Sequence, residues 1–280
     1  MKRILVTGVG SYIGQSLIKY LNQWPKQYQV DGVTTHDGAW KETDFSQYDV
    51  VYHTAGIAHR KETKENAHLY YEINRDLAVE IARKAKEQGI KQFIFLSSIS
   101  VYGLDTGVIN EETPLNPRTH YGKSKLEAEQ KLQQFENETF NITILRPPMV
   151  YGKNCKGNFQ KLVKLVEILP IFPRCNNRRS MIYIDNLSEF VRVCIDKELS
   201  GVFFPQNKEY VCTDELVRMI ASAIGRREIL IPVPNMIISL AKMVSMSVRK
   251  AFGDLTVEVK STGIPEYCIT TFEKSIRESL

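Results

Sequence analysis

The 280-residue sequence predicts an α/β fold, a doubly wound parallel sheet with a smaller C-terminal lobe. Three observations predict it: a short β-branched run entering a glycine-rich turn at the N-terminus, further continuous apolar runs of strand length, and helical stretches between them. Strands that are apolar on both faces belong to parallel sheets covered by helices on either side.

In chain order, Arg3-Ile4-Leu5-Val6-Thr7-Gly8 reads as a strand, and Ile13, Leu17 and Leu21 then recur at helical spacing until Pro25. Val30 to Thr34 is the second strand. Val50-Val51-Tyr52, Phe93-Ile94-Phe95-Leu96 and Ile142-Thr143-Ile144-Leu145 are buried strands, separated by helices over Leu77 to Lys86 and Lys123 to Gln134. From Tyr151 the rhythm changes: a helix over Phe159 to Ile168, a Pro/Arg/Asn-rich loop from Pro170 to Ser180, then shorter elements. This divides the chain into a nucleotide-binding domain carrying the catalytic residues over 1–150 and a mainly substrate-binding lobe over 151–280.

Composition narrows the function classes. No apolar run approaches the roughly 20 residues of a membrane span, and the N-terminus enters a strand directly, so a cytoplasmic protein is expected. Five cysteines without C-x-x-C spacing point to free thiols, with no metal site. The net charge of +5 comes without a basic block, which argues against nucleic acid as a partner and is satisfied by a pocket for a phosphorylated small molecule. The stretch from Pro232 to Phe252, rich in Met, Ile and Val, has Lys242, Arg249 and Lys250 as its only charges. It is read as a core-facing helix in preference to a membrane contact.

Gly8-Val9-Gly10-Ser11-Tyr12-Ile13-Gly14 fits G-x-G-x-x-G between a strand and a helix. There the glycines admit a pyrophosphate to the free N–H groups of the helix start, the mark of a Rossmann-like dinucleotide site. The second strand ends at Thr34, Thr35 and His36, with Asp31 and Asp37 to either side and no acid clearly placed on an adenosine ribose. A carboxylate there would repel a 2′-phosphate, so its absence favours NADP(H) over NAD(H) as cofactor.

Tyr121 and Lys125 are four residues apart on one helix face, which lets an ammonium stabilise a phenolate that would otherwise form only near pH ~10. Ser97-Ser98 follows the Phe93 strand and offers a hydroxyl to the same substrate oxygen. A Ser, Tyr and Lys set moves a proton while hydride moves at a carbinol or carbonyl carbon.

The ordered set of Thr7-Gly8-x-Gly10-x-x-Gly14, Asp44-Phe45, His53-Thr54-Ala55-Gly56, Asn74, Ser97-Ser98, Tyr121-x-x-x-Lys125 and Leu145-Arg146-Pro147 resembles the extended short-chain dehydrogenase/reductase family of nucleotide-sugar epimerases, dehydratases and reductases. The resemblance runs to about Asn186. It implies that Ser98 binds the reacting sugar oxygen, Tyr121 is the acid/base, and Lys125 tunes Tyr121 and holds the nicotinamide ribose. It implies cofactor contacts from Gly8, Gly10, Ser11, Tyr12, Ile13, Gly14, Thr34, His36, Asp44, Phe45, Thr54, Ala55, Gly56, Asn74 and Pro147. Asn158 would meet the substrate diphosphate, Phe172 would lie by the uracil, and Arg179 would bind phosphate.

Departures from the family pattern narrow the chemistry. Dehydrating members carry an Asp-Glu pair after the catalytic Ser or Thr, where this chain has Ile99 and Ser100. The short Gly38 to Asp49 connection is similar to that of the sugar-ketone reductases. The expectation is therefore reduction of a UDP-4-keto-6-deoxy-N-acetylhexosamine at C4 in surface-polysaccharide synthesis. The alternatives are UDP-glucose or UDP-N-acetylglucosamine 4-epimerisation and, more remotely, a non-catalytic NAD(P)-binding regulator. A homodimer through residues 66–88 and 121–134 is implied by the same resemblance.

Overall fold

A computed structural model of the chain describes residues 1–58, 60–232, 253–259 and 264–280. The Met-rich stretch, from Val233 to Phe252, lies outside the described residues. The described residues build a parallel sheet of six strands in the order β10-β6-β4-β3-β1-β2. These are β1 (Lys2–Thr7), β2 (Tyr28–Val33), β3 (Val50–His53), β4 (Gln92–Leu96), β6 (Asn141–Leu145) and β10 (Gly201–Phe203).

Alternate residues of each strand enter opposite cores. Leu5, Val51, Phe93, Phe95, Ile142 and Ile144 face one layer, where they meet Ala78, Ile81, Ala82 and Ala85 of α4 (Leu77–Glu87) and Ala128 and Leu132 of α5 (His120–Gln133). Ile4, Val6, Val50, Tyr52 and Ile94 face the other, against Leu17 and Leu21 of α1 (Tyr12–Leu21) and Phe190, Val191, Cys194 and Ile195 of α7 (Ile184–Asp196). This period of two, apolar on both sides, is the physical reason the strands read as continuous apolar runs.

The chain leaves β1 for β2 on one side and returns to β3 on the other. Such a reversal opens a crevice beyond the C-terminal ends of β1 and β3, where ligands of open α/β sheets bind. Two short helices, α2 (Ala39–Glu42) and α3 (Ala67–Tyr71), occupy the loops around it. The segment Glu72–Asp76 between α3 and α4 is a single π-helical turn.

Two sequence expectations change at this level. The second half does not stay apart: β10 adds to β6 in parallel, and α7 packs on α1, so the chain crosses the expected boundary at residue 150 to complete the first sheet. Without β10, the ladder groups of β6 would be a bare edge. The loop expected over Pro170 to Ser180 contains β8 (Ile171–Arg174), which pairs in parallel with β11 (Ile229–Pro232).

The smaller lobe has its own core of Tyr151, Phe159, Val163, Val166, Phe172, Leu216 and Ile220. It is built from α6 (Asn158–Ile168), α8 (Thr213–Ala223), α9 (Phe272–Glu278) and the parallel pair of β7 (Met149–Tyr151) with β9 (Met181–Tyr183). A further parallel pair joins β5 (Gly107–Ile109) to β12 (Leu255–Val257). No helix among the described residues is long and apolar enough to cross a membrane.

Phe93 is fully buried, its ring stacked on His53 at 5.9 Å and tilted against Phe140 at 6.5 Å. Phe93→Ala is expected to cost about 3–5 kcal/mol of folding free energy, read from urea denaturation.

Candidate active site

The nucleotide end is built by the turn from β1 into α1. Gly8 sits at φ +85, and a Cβ on it would lie 2.5 Å from the backbone nitrogen of Ala55. Any side chain there would both strain the turn and push β1 away from the loop after β3. Gly10, by contrast, faces open space, with nothing within 4 Å of where its Cβ would be. That is the condition for a phosphate group to approach the backbone at a helix start.

Ser11 caps α1 by accepting from the Gly14 amide at 3.0 Å, and its hydroxyl meets Thr54 Oγ1 at 2.7 Å. Thr54 in turn donates to the Thr7 carbonyl at 3.1 Å. Ser11, Gly14, Thr54 and Ala55, all implied by the resemblance as cofactor contacts, thus form one tied unit. The geometry fits a dinucleotide: an open Gly10, a closed Gly8 and a capped helix start.

The adenosine end is less complete. Thr34 is half-buried and its hydroxyl accepts a weak 3.4 Å bond from the exposed His36 amide. Asp31 accepts from Gln29 at 3.3 Å, and Asp37 from the Ala39 amide at 3.1 Å. Asp44 is held below the usual carboxylate range by hydrogen bonds from the Ser46 hydroxyl and amide. Phe45 is fully buried, with the Lys84 ammonium 5.1 Å from its ring centre. Its ring belongs to the core, its amide donates to Gln88 Oε1 at 2.6 Å and its carbonyl accepts from the Tyr48 amide at 2.9 Å, so ring and backbone are both engaged within the protein.

The catalytic end gathers on α5. Thr119 caps this helix through the Gly122 amide at 3.1 Å, placing Tyr121 and Lys125 on successive turns. Ser98 follows β4 at the start of a 3₁₀ turn, where its hydroxyl accepts from the Ser100 amide at 3.1 Å and lies near enough to the Tyr121 phenol to favour its ionised form. Burial pushes the Tyr121 phenol up, and the Ser98 hydroxyl opposes that shift. Ser98, Tyr121 and Lys125, predicted from separate segments, are therefore brought to one place.

Lys125 is nearly inaccessible. Its Nζ donates to the Leu96 carbonyl at 2.8 Å and lies 4.5 Å from the Phe95 ring centre. Burial pulls its pKa down to about 7, with the Glu129 carboxylate opposing. Beside it, His53 is buried between Phe93 and Phe95, bonded through Nδ1 to Thr7 Oγ1 at 2.8 Å. Burial and the nearby lysine hold its pKa at about 3, so it is a neutral ring at ordinary pH.

Asn74 lies in the π-helical turn and is fully buried. Its Oδ1 accepts from the Ile57 amide at 2.8 Å, and its Nδ2 donates to Ser124 Oγ at 3.1 Å. It thereby fastens the loop after Gly56 to the catalytic helix. A Cβ on Gly56 would come within 2.9 Å of Asn74 Oδ1 and 3.4 Å of Lys125 Nζ. The Pro147 carbonyl accepts from the Ile99 amide at 3.2 Å, steadying the 3₁₀ turn after Ser98.

The residues assigned to substrate are spread over the smaller lobe. Asn158 opens α6 and is exposed; Gly157 before it has φ +114. Arg179 donates to the Gly253 carbonyl at 2.7 Å, and burial lowers its pKa. Phe172 is buried in the lobe core, on a strand that pairs with β11.

Two supporting groups were missed at the level of sequence. Glu62, in the loop after β3, accepts from the His120 and Tyr121 amides at 2.9 Å each, capping the catalytic helix from outside. Nothing in the sequence ties residue 62 to residue 120. Glu129 accepts from Arg146 Nη2 at 2.6 Å and from the Ser97 hydroxyl, while Arg146 also donates to Tyr102 at 2.9 Å. Its signal was present: Glu129 continues the four-residue spacing of Tyr121 and Lys125.

Two outcomes test this site. Glu129→Ala leaves Arg146 buried without its carboxylate and is expected to cost about 3–5 kcal/mol, read from urea denaturation. Lys125 binds its proton more weakly folded than unfolded, so the unfolded chain carries the extra proton between pH about 7 and its ordinary value near ~10.4. Folding stability from this group therefore rises with pH across that window. The stability of the ligand-free wild type relative to Lys125→Met is expected to increase steadily from pH 7 to ~10, checked by denaturation at several pH values.

Known proteins resemble the chain in sequence and in fold. A UDP-glucose 4-epimerase of Vibrio cholerae is 34% identical over 291 aligned positions, covering 93% of this chain and 88% of that protein. The structure of a UDP-glucuronic acid 4-epimerase from Bacillus cereus in complex with NAD superposes with a TM-score of 0.77 at 20% identity, covering 99% of this chain and 97% of the other. A dTDP-4-dehydrorhamnose reductase from Bacillus anthracis in complex with NADP gives 0.71 at 18% identity, covering 100% and 98%. The two structures share the fold. The model of the NAD dependent epimerase/dehydratase family matches residues 4–203. With its fingerprint turn, its Ser98, Tyr121 and Lys125 cluster and this match over most of its length, the chain is an enzyme of the NAD-dependent epimerase/dehydratase family.

Proposed function

We propose that the chain interconverts the C4 epimers of a UDP-linked hexose, with UDP-glucose or UDP-N-acetylglucosamine as the substrate class. The observation that carries this reading is the 34% identity, across 93% of the chain, with a protein named as a UDP-glucose 4-epimerase. The Ser98, Tyr121 and Lys125 cluster supports it, because both directions of the reaction need one group that takes a proton from the C4 hydroxyl and later returns it. The bound nicotinamide would take up and give back the C4 hydride.

In this reading, Tyr121 Oη accepts the C4 hydroxyl proton as the C4 hydride leaves, forming a 4-keto sugar, and reprotonates the oxygen after the ketone has presented its other face. Ser98 Oγ, beside the Tyr121 phenol, orients the same oxygen. The Lys125 cation favours the phenolate, an effect strengthened by the dry surroundings given by Phe95 and the Leu96 carbonyl. Asn158, Phe172 and Arg179 are proposed to hold the UDP part. NADP(H) is proposed over NAD(H) because both Asp31 and Asp37 have local partners, leaving no carboxylate committed to a ribose. A homodimer through residues 66–88 and 121–134 is part of the same reading.

A second reading, reduction of a UDP-4-keto-6-deoxy-N-acetylhexosamine, is favoured by one feature. The connection from β2 to β3 holds only the one-turn helix Ala39–Glu42. The two reactions share their catalytic residues and separate by whether cofactor is consumed.

Incubation with UDP-glucose or UDP-N-acetylglucosamine and catalytic cofactor is expected to yield the C4 epimer with no net change in reduced-cofactor absorbance. Stoichiometric NAD(P)H consumption with the keto sugar, and no epimer, would establish the reductase instead. Tyr121→Phe is expected to lower turnover about 10²–10⁴-fold while cofactor binding by calorimetry persists, with NADP(H) tighter than NAD(H). Light scattering is expected to give a dimer mass.

A further inference from the structure

Among the described residues, the two-stranded sheet of β8 and β11 has one covered and one bare face. Phe172 and its partner Leu230 turn toward the lobe core. Ile171 and Ile229, opposite each other, and Pro173 and Ile231 turn the other way. The end of α6 continues this bare face with Leu165, Ile168 and Leu169, and the Ile229 amide bonds the Pro170 carbonyl to join the two parts. Ile168 is 72% exposed and Ile229 56%. Six of the large apolar side chains most exposed among the described residues thus lie in one place.

We propose that this edge docks on an anionic lipid bilayer. Scattered exposed apolar residues are ordinary on a protein surface, but a contiguous patch marks an interaction site. The charges around it choose the partner. Lys161 and Lys164 on α6, Arg174 at the end of β8, and Arg226 and Arg227 before β11 are all exposed, against Glu167, Glu228 and the partly exposed Asp214, which accepts from the Cys175 amide beside Arg174. Apolar side chains surrounded by cations match an interface of acyl chains and negative headgroups.

A second copy of the chain fits less well, because a two-fold contact on this edge would set each cluster of cations against itself. The reading departs from the sequence expectation of no membrane contact, since the two exposed isoleucine rows belong to strands that the sequence did not reveal. α6 runs from Asn158 to Ile168, about 16 Å along its axis. Docking at its C-terminal end therefore leaves the proposed diphosphate contact at its other end free.

The test is co-sedimentation of the full chain with vesicles of phosphatidylcholine, with or without phosphatidylglycerol. Binding is expected only with phosphatidylglycerol present, and to weaken at least about tenfold between about 0.05 M and about 0.5 M salt. The double variant Ile168→Glu/Ile229→Glu and, separately, Lys161→Glu/Lys164→Glu are each expected to weaken it about tenfold or more, with unchanged far-UV circular dichroism and melting temperature. No sedimentation of the wild type with the anionic vesicles, or equal binding by both folded variants, overturns the proposal. So does a dimer in vesicle-free solution that Ile168→Glu/Ile229→Glu converts to monomer, because a second copy then occupies the edge. None of these readouts depends on which sugar reaction the enzyme performs.

Discussion

The catalytic end is organised around one unfavourable arrangement, an ammonium group held where water is nearly excluded. Lys125 gains a carbonyl, a phenyl face and the distant field of Glu129 in return for its hydration, and the balance still leaves it close to losing its proton. A cation in that condition is attracted by any new negative charge, and a phenolate one turn away is such a charge. The surrounding structure serves to hold that lysine in place. Glu129 is fixed by Arg146, and Arg146 by Tyr102. Phe95 and Leu96 are anchored in the centre of the sheet.

The helix that carries Tyr121 and Lys125 is held from three directions. Thr119 and Glu62 satisfy its first amides, Asn74 bonds Ser124 on its flank, and the Glu129–Arg146 pair ties its middle to the end of β6. Two of these ties, Glu62 and Asn74, come from the segment that follows β3, whose first residues are also bonded to the fingerprint turn. Nucleotide and proton-transfer ends are thus joined by one short piece of chain, from Thr54 to Asn74. A change in the loop at either end would be felt at the other through these hydrogen bonds.

Much of this could be read before any coordinates, and the reasons are local. β1, β3, β4 and β6 are apolar on both faces, so periodicity exposes them. Gly8, Gly10 and Gly14 lie within seven residues, and Tyr121 and Lys125 within one helical turn. What escaped depends on distance along the chain. β10 is three residues long and means nothing until β6 needs a partner, and β8 was hidden in a segment whose Pro, Arg and Asn content reads as loop. Phe45 and Phe172 show a related limit. A motif can mark a position without telling that its side chain is spent on the core.

The π-helical turn at Glu72–Asp76 has a consequence for which changes this chain can accept. A π turn holds one more residue than the α-helix would in the same length, and each helical residue advances the side chains by about 100°. Removing any one residue between α3 and α4 would therefore straighten the helix and swing Asn74 away from both Ile57 and Ser124. The direction of Asn74 is thus set by the number of residues in this stretch as well as by their type. Its length acts as a ruler between α3 and the loop at Ile57, one that insertion or deletion would misread.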